Sequence, residues 1–76
     1  MKAYVLIHVH PGSVPEVVHT LRRLHGVLEA NMTFGPYDVV AIIEAQSINA
    51  LGPLIANEVQ PIDGVLDTLT CLVVES

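Results

Sequence analysis

Apolar and polar residues change period several times along these 76 residues, and the changes mark the elements. Ala3 to Val9 is a short run of Val, Leu and Ile that reads as a strand, ended by Pro11-Gly12. Ser13-Val14-Pro15-Glu16 fits a capping box, in which the Ser13 hydroxyl accepts from the third helical N–H and Glu16 reaches back. Pro15 falls in the first turn, where its missing N–H costs nothing. Val14, Val17, Val18, Leu21 and Leu24 follow at helical spacing, and Gly26 supplies a left-handed stop. Val27 to Phe34 alternates, with Glu29, Asn31 and Thr33 on one parity and Leu28, Ala30, Met32 and Phe34 on the other. This pattern predicts a strand with one wetter face. Gly35-Pro36-Tyr37-Asp38 reads as a hairpin turn, because proline presets φ for the second turn position. Val39 to Ile43 is apolar on both parities, as in a strand covered on both faces. Ser47 or Asn49 caps a second helix carrying Ile48, Leu51, Leu54, Ile55 and Val59. Pro53 interrupts it, so it stands either at the fourth helical position or at the start of the regular helix. Pro61 to Gly64 ends the helix, and Val65 to Val74 is a final strand.

The order β-α-β-β-α-β predicts one α+β domain over 1–76 with a ferredoxin-like plan: an antiparallel four-stranded sheet with two helices on one face. Those helices leave the other sheet face open. The two-sided strand 39–43 requires cover there too, which a second copy would supply by packing sheet against sheet. Composition points the same way. Hydrophobic residues make up 51% of the chain and charged residues only 14%, against about 25% charged in an average domain. A single chain of this size buries only about 60% of its unfolded surface, so an obligate homo-oligomer is expected.

Charge narrows the function. A net charge of −5 with three basic residues, Lys2, Arg22 and Arg23, argues against direct nucleic-acid binding, which relies on clustered Lys and Arg. The single Cys71 excludes an intramolecular disulfide and suits a reducing cytoplasm. No apolar run approaches the length of a membrane span, so a soluble, cytoplasmic protein is expected.

Candidate chemistry is sparse. His8 and His10 share a parity on the first strand, but the further ligands of a metal site are missing, and neither a metal nor a cofactor is expected. His19 and His25 fall on roughly opposite helix faces. An enzyme would need a histidine paired with a carboxylate or nucleophile. The alternative reading is therefore a small dimeric α/β-barrel enzyme using His8 or His10, near Glu44 or Asp38, in a cavity inside the dimer. The other carboxylates, Glu16, Glu29, Glu58, Asp63, Asp67 and Glu75, are scattered as on a solvated surface. What remains is the central turn, with its backbone N–H groups, Tyr37 and Asp38, and the pair Thr68 and Thr70, which share a parity on the last strand. Asp38 reads either as a self-capping turn residue or as a ligand acceptor.

The element order, Pro11-Gly12, Gly35-x-Tyr37-Asp38, Gly64-Val65, Thr68 and Thr70 together resemble the effector-binding (regulator of amino acid metabolism) domain of the Lrp/AsnC transcriptional regulators. The likeness covers almost the whole chain, which starts at the first strand and looks like a stand-alone module without the helix-turn-helix domain. The resemblance implies a non-enzymatic amino-acid sensor. Its dimers would pack sheet to sheet, assemble into an octamer or decamer-like ring, and engage a full-length Lrp/AsnC regulator. It implies that the ligand lies between dimers. The backbone at Gly35 and Tyr37 would meet the ligand carboxylate, Asp38 its ammonium, and Thr68 and Thr70 of a neighbouring dimer would complete the cleft. Pro36 departs from an ideal version of this loop because it offers no N–H. An ACT-like regulatory module shares the strand order and ligand class, but Pro11-Gly12 only partly matches its early glycine.

Overall fold

The structure, a computed structural model, describes residues 1–74; Glu75 lies outside the described residues. Its elements are β1 (Lys2–Val9), α1 (Val14–Arg22), β2 (Val27–Met32), β3 (Val39–Glu44), α2 (Ile48–Leu54, continued by a π-helical turn Ile55–Val59) and β4 (Val65–Leu72). The sheet is antiparallel with strand order β2-β3-β1-β4. This is the expected ferredoxin-like α+β fold.

Strand alternation decides which side chains are buried, since directly paired residues share a sheet face. Ala3, Val5 and Ile7 pair with Ile43, Ala41 and Val39, and all six are fully buried against Val17, Leu21, Leu51 and Val59 of the helices. The other parity sets Tyr4 and Leu6 beside Ile42 and Val40 on one flank, and beside Cys71 and Leu69 on the other. These residues form an apolar sheet face that no helix covers. The two-sided reading of strand 39–43 is thus correct for its inner face, while Val40 and Ile42 remain only half-buried.

Several local expectations need correction. Ser13 is the N-cap of α1 but its hydroxyl makes no capping bond. A 3₁₀ turn over Pro11–Ser13 feeds directly into the helix, with Ser13 N–H donating to His10 O at 2.8 Å, so the capping box does not form. The first helix ends at Arg22 rather than just before Gly26, although Gly26 does take positive φ. The last strand stops at Leu72, short of the expected Val74.

Strand β2 departs most. Only Ala30 of the apolar parity is buried, while Leu28, Met32 and Phe34 are exposed. The β2–β3 register shifts between Val27 and Glu29, which displaces Leu28; beyond it Ala30 and Met32 keep the core-facing parity opposite Ala41 and Val39, but at the edge of the sheet Met32 stays exposed. Arg22 ties this edge to α1, its Nε–H donating to Ala30 O at 3.0 Å.

Pro53 lies inside α2, which is capped by Ser47, so it occupies the sixth helical position rather than the fourth or first. Proline there removes the N–H that Asn49 O would accept. Gly52 before it has no Cβ to collide with the proline ring. The helix then widens into a π turn, in which Gln60 N–H donates to Ile55 O at 2.9 Å. This keeps Ile55 and Val59 on the buried face.

Gly64 is the tightest backbone approach. Its φ is +98°, and a Cβ there would stand 2.5 Å from Ser13 Cβ. Because the left-handed conformation and the overlap both oppose a side chain, Gly64→Ala is expected to lower stability by about 2–3 kcal/mol. Gly12→Ala, whose Cβ meets nothing closer than 4.0 Å, should change it by less than about 0.5 kcal/mol. Urea denaturation of both variants checks this; equal midpoints would refute the packing argument.

Candidate functional site

The segment between β2 and β3 is an open loop over residues 33–38, closed by Thr33 N–H donating to Asp38 O at 2.9 Å. It is not the four-residue β-turn expected. Gly35 is exposed with φ +140°, a conformation open to glycine and strained for other residues. Among the described residues, the N–H groups of Phe34, Gly35 and Tyr37 donate to no protein acceptor. They are donors that an anion could use.

Asp38 extends the β1–β3 ladder by one step. Its N–H donates to Ile7 O at 3.0 Å, and its carboxylate Oδ2 accepts from Val9 N–H at 2.8 Å. The carboxylate therefore caps the end of β1 rather than the turn's own N–H groups. Oδ1 makes no hydrogen bond among the described residues.

Tyr37 lies flat on His8, with ring centroids 4.3 Å apart and planes at 13°. His8 holds the loop from beneath: its Nε2 is 2.7 Å from Pro36 O, and its Nδ1 is 2.6 Å from Asp67 Oδ1 on β4. The carbonyl and the ionised carboxylate are both acceptors, so this geometry suits an imidazolium with two N–H groups. The pKa of His8 is raised, first by the bond to the Pro36 carbonyl and next by that to Asp67, with a weaker attraction from Asp38. The partner of His8 is thus neither Glu44 nor, by contact, Asp38.

In the sequence Asp67 reads only as one of the scattered surface carboxylates. It is the cross-strand neighbour of His8, but the two lie 59 positions apart and no local spacing reveals their register. The other histidines, His10, His19 and His25, are exposed. Among the described residues no group of three His, Cys, Asp or Glu side chains could hold a metal.

Thr68 and Thr70 do share a face, but it is the helix side, because they pair with the buried Ile7 and Val5. Thr68 Oγ1 accepts from Gln60 Nε2 at 3.1 Å. Thr70 lines a groove of about 340 Å³ with Ile48, Leu51 and Ile55. Strand β1 separates both threonines from the hairpin, so one chain does not bring the five candidate residues Gly35, Tyr37, Asp38, Thr68 and Thr70 together.

A cavity of about 310 Å³ adjoins the loop, between Pro11, Val14, Met32, Phe34 and Asp38. A larger one, about 730 Å³, opens at the opposite end of the sheet with Glu44 and Glu58 in its wall. Met1, with the N-terminal ammonium, and His25 share that wall, while the loop presents unpaired N–H donors beside Asp38.

A family model described as the Lrp/AsnC ligand binding domain matches residues 2–76. The chain belongs to that family. It is 30% identical over 59 residues to the HTH-type transcriptional regulator Ptr1 of Methanocaldococcus jannaschii, covering 78% of this chain and 40% of that protein. Among solved structures, E. coli AsnC superposes with a TM-score of 0.91 at 28% identity, over 99% of this chain and 51% of that one. A Neisseria meningitidis transcriptional regulator solved with L-Met has a TM-score of 0.88 at 16% identity, over 97% and 49% of the two chains, which is a likeness of fold. The Lrp/AsnC module thus spans about half the length of these proteins, or less. The family and these relatives are transcriptional regulators rather than enzymes. No helix among the described residues is long and apolar enough to cross a membrane.

The Asp38 geometry yields a direct test. Asp38→Ala leaves the part-buried Val9 N–H without its acceptor and should cost about 1–3 kcal/mol. Asp38→Asn retains a carbonyl oxygen and should recover most of that loss. Chemical denaturation distinguishes them, and an unchanged midpoint in the alanine variant would show that the carboxylate holds nothing.

Proposed function

We propose that this Lrp/AsnC domain is an oligomeric, non-enzymatic sensor that binds a free amino acid at the 33–38 loop. The observation that carries the reading is the set of unpaired N–H groups at Phe34, Gly35 and Tyr37 beside the available Oδ1 of Asp38. A zwitterion needs that combination: donors for its carboxylate and an anionic acceptor for its ammonium. Pro36 removes one donor from the loop, and its carbonyl instead anchors to His8. The L-Met complex of a protein with the same fold adds support for the ligand class.

Two separate apolar surfaces support the assembly. The uncovered sheet face of Tyr4, Leu6, Val40, Ile42 and Leu69 suits face-to-face packing in a dimer. Met32 and the fully exposed Phe34 form a second patch at the hairpin, which in this reading joins one dimer to the next. Burying a phenylalanine side chain contributes roughly 1.5–3 kcal/mol, so leaving Phe34 in water is a cost that a neighbour can remove. In such an assembly, Thr68 and Thr70 of an adjacent dimer complete the cleft, as no single chain can. The ring, an octamer or a decamer-like form, acts on a full-length Lrp/AsnC regulator by mixed assembly.

Native mass spectrometry with and without a mixture of the common amino acids tests both parts. The expected result is an oligomer above the dimer carrying added mass equal to one amino acid per subunit. Phe34→Ser should reduce the assembly to dimers and remove the bound mass. Failure of every amino acid to bind at millimolar concentration would overturn the reading.

A further inference from the structure

The contacts of His8 go beyond ligand binding, because they make the shape of the loop depend on one proton. We propose that His8 is a positioning residue that latches the 33–38 loop through its protonated ring, held between the Asp67 carboxylate and the Pro36 carbonyl, and that loss of the proton releases the loop.

The argument is geometric. With both nitrogens protonated, each N–H meets an acceptor, at 2.6 Å and 2.7 Å. A neutral imidazole has one N–H, and neither tautomer suits this site. With hydrogen on Nε2 the bond to Pro36 O survives, but the Nδ1 lone pair faces the Asp67 carboxylate. With hydrogen on Nδ1 the hydrogen bond to Asp67 is kept, but the Nε2 lone pair faces a carbonyl oxygen. Either way one contact becomes repulsive at a distance that only a hydrogen bond tolerates. The Tyr37 ring, stacked on the imidazole, moves with it.

The groups that face His8 are Asp67 from β4, the Pro36 carbonyl and Tyr37 ring from the loop, and Asp38 at the base of β3. Both charged groups among them are carboxylates, and both favour the charged ring. The side chains of His8 and Asp67 are 38% and 66% exposed, so protons reach the pair freely and the latch can answer to solvent pH. The sign follows from the raised pKa of His8. The latch is fully formed below the ordinary histidine value of about 6.5 and is lost as pH rises through the higher folded-state value.

Two consequences separate the latch from the sensor reading, on which only the second depends. First, the loop should loosen with His8 whether or not a ligand exists. Second, an anionic ligand group bound to the Phe34, Gly35 and Tyr37 N–H groups should be released as His8 loses its proton, with affinity falling by at most about tenfold per pH unit.

NMR of the whole chain, observing the histidine rings and the loop amides between about pH 5 and 9, tests the proposal. Both His8 nitrogens should show N–H character at low pH. The titration midpoint should lie above about 6.5, and the chemical shifts of the Phe34, Gly35 and Tyr37 amides should move with that same midpoint. Asp67→Asn should lower the midpoint. His8→Gln, which keeps a donor but cannot charge, should remove that midpoint from the loop amide shifts. A His8 midpoint at or below about 6.5, or loop amides that do not follow it, overturns the latch even if an amino acid binds. A latch that titrates as described while no amino acid binds overturns only the sensor.

Discussion

The fold depends on a shortage of cover. Four strands form a sheet with two faces, and the chain supplies two helices, which pack on one of them. Every residue of β1 is sorted by this constraint: Ala3, Val5, Ile7 and Val9 are buried beneath the helices, while Lys2, Tyr4, Leu6 and His8 take the other parity. The buried set is wholly apolar, and no polar or charged side chain is buried among the described residues. All of the polar chemistry is therefore displaced to the ends and edges of the sheet, where the hairpin loop and the start of β4 meet.

At that end, three strands are joined by side chains instead of by ladder bonds alone. Asp38 carries the β1–β3 pairing one residue further by accepting from Val9 N–H. His8 ties β1 to Asp67 on β4 and to Pro36 in the loop. The backbone N–H groups of Phe34, Gly35 and Tyr37 are left unpaired because the loop is held through its carbonyls and side chains. A loop fixed this way can present donors outward without collapsing onto them, which is what a small-anion site requires.

The same arrangement explains why Pro36 is not simply a defect. It lacks the N–H that another residue would offer to a ligand, yet its carbonyl gives His8 the acceptor that orients the loop. Pro53 is accommodated by a comparable device: the residue before it is glycine, and the helix widens by one residue afterwards, so that the buried positions Ile55 and Val59 stay in register with the core.

Sequence by itself determined the element order, the ferredoxin-like plan, the buried stripe of α1 and the two-sided apolar character of β3. These follow from hydrophobic periods and from Gly and Pro punctuation, which are local signals. It also marked Gly35, Tyr37 and Asp38 as the unusual spot. Tertiary structure alone decided the burial of β2, because a register shift after Val27 displaces Leu28 and the edge position leaves Met32 exposed although it keeps the core-facing parity. It alone showed that Asp38 caps Val9, that Thr68 and Thr70 face the helices on the far side of β1, and that Asp67 meets His8. The physical reason is common to all of these: strand register and long-range pairing are set by how the whole sheet packs, and no spacing along the chain records which residue will stand opposite which.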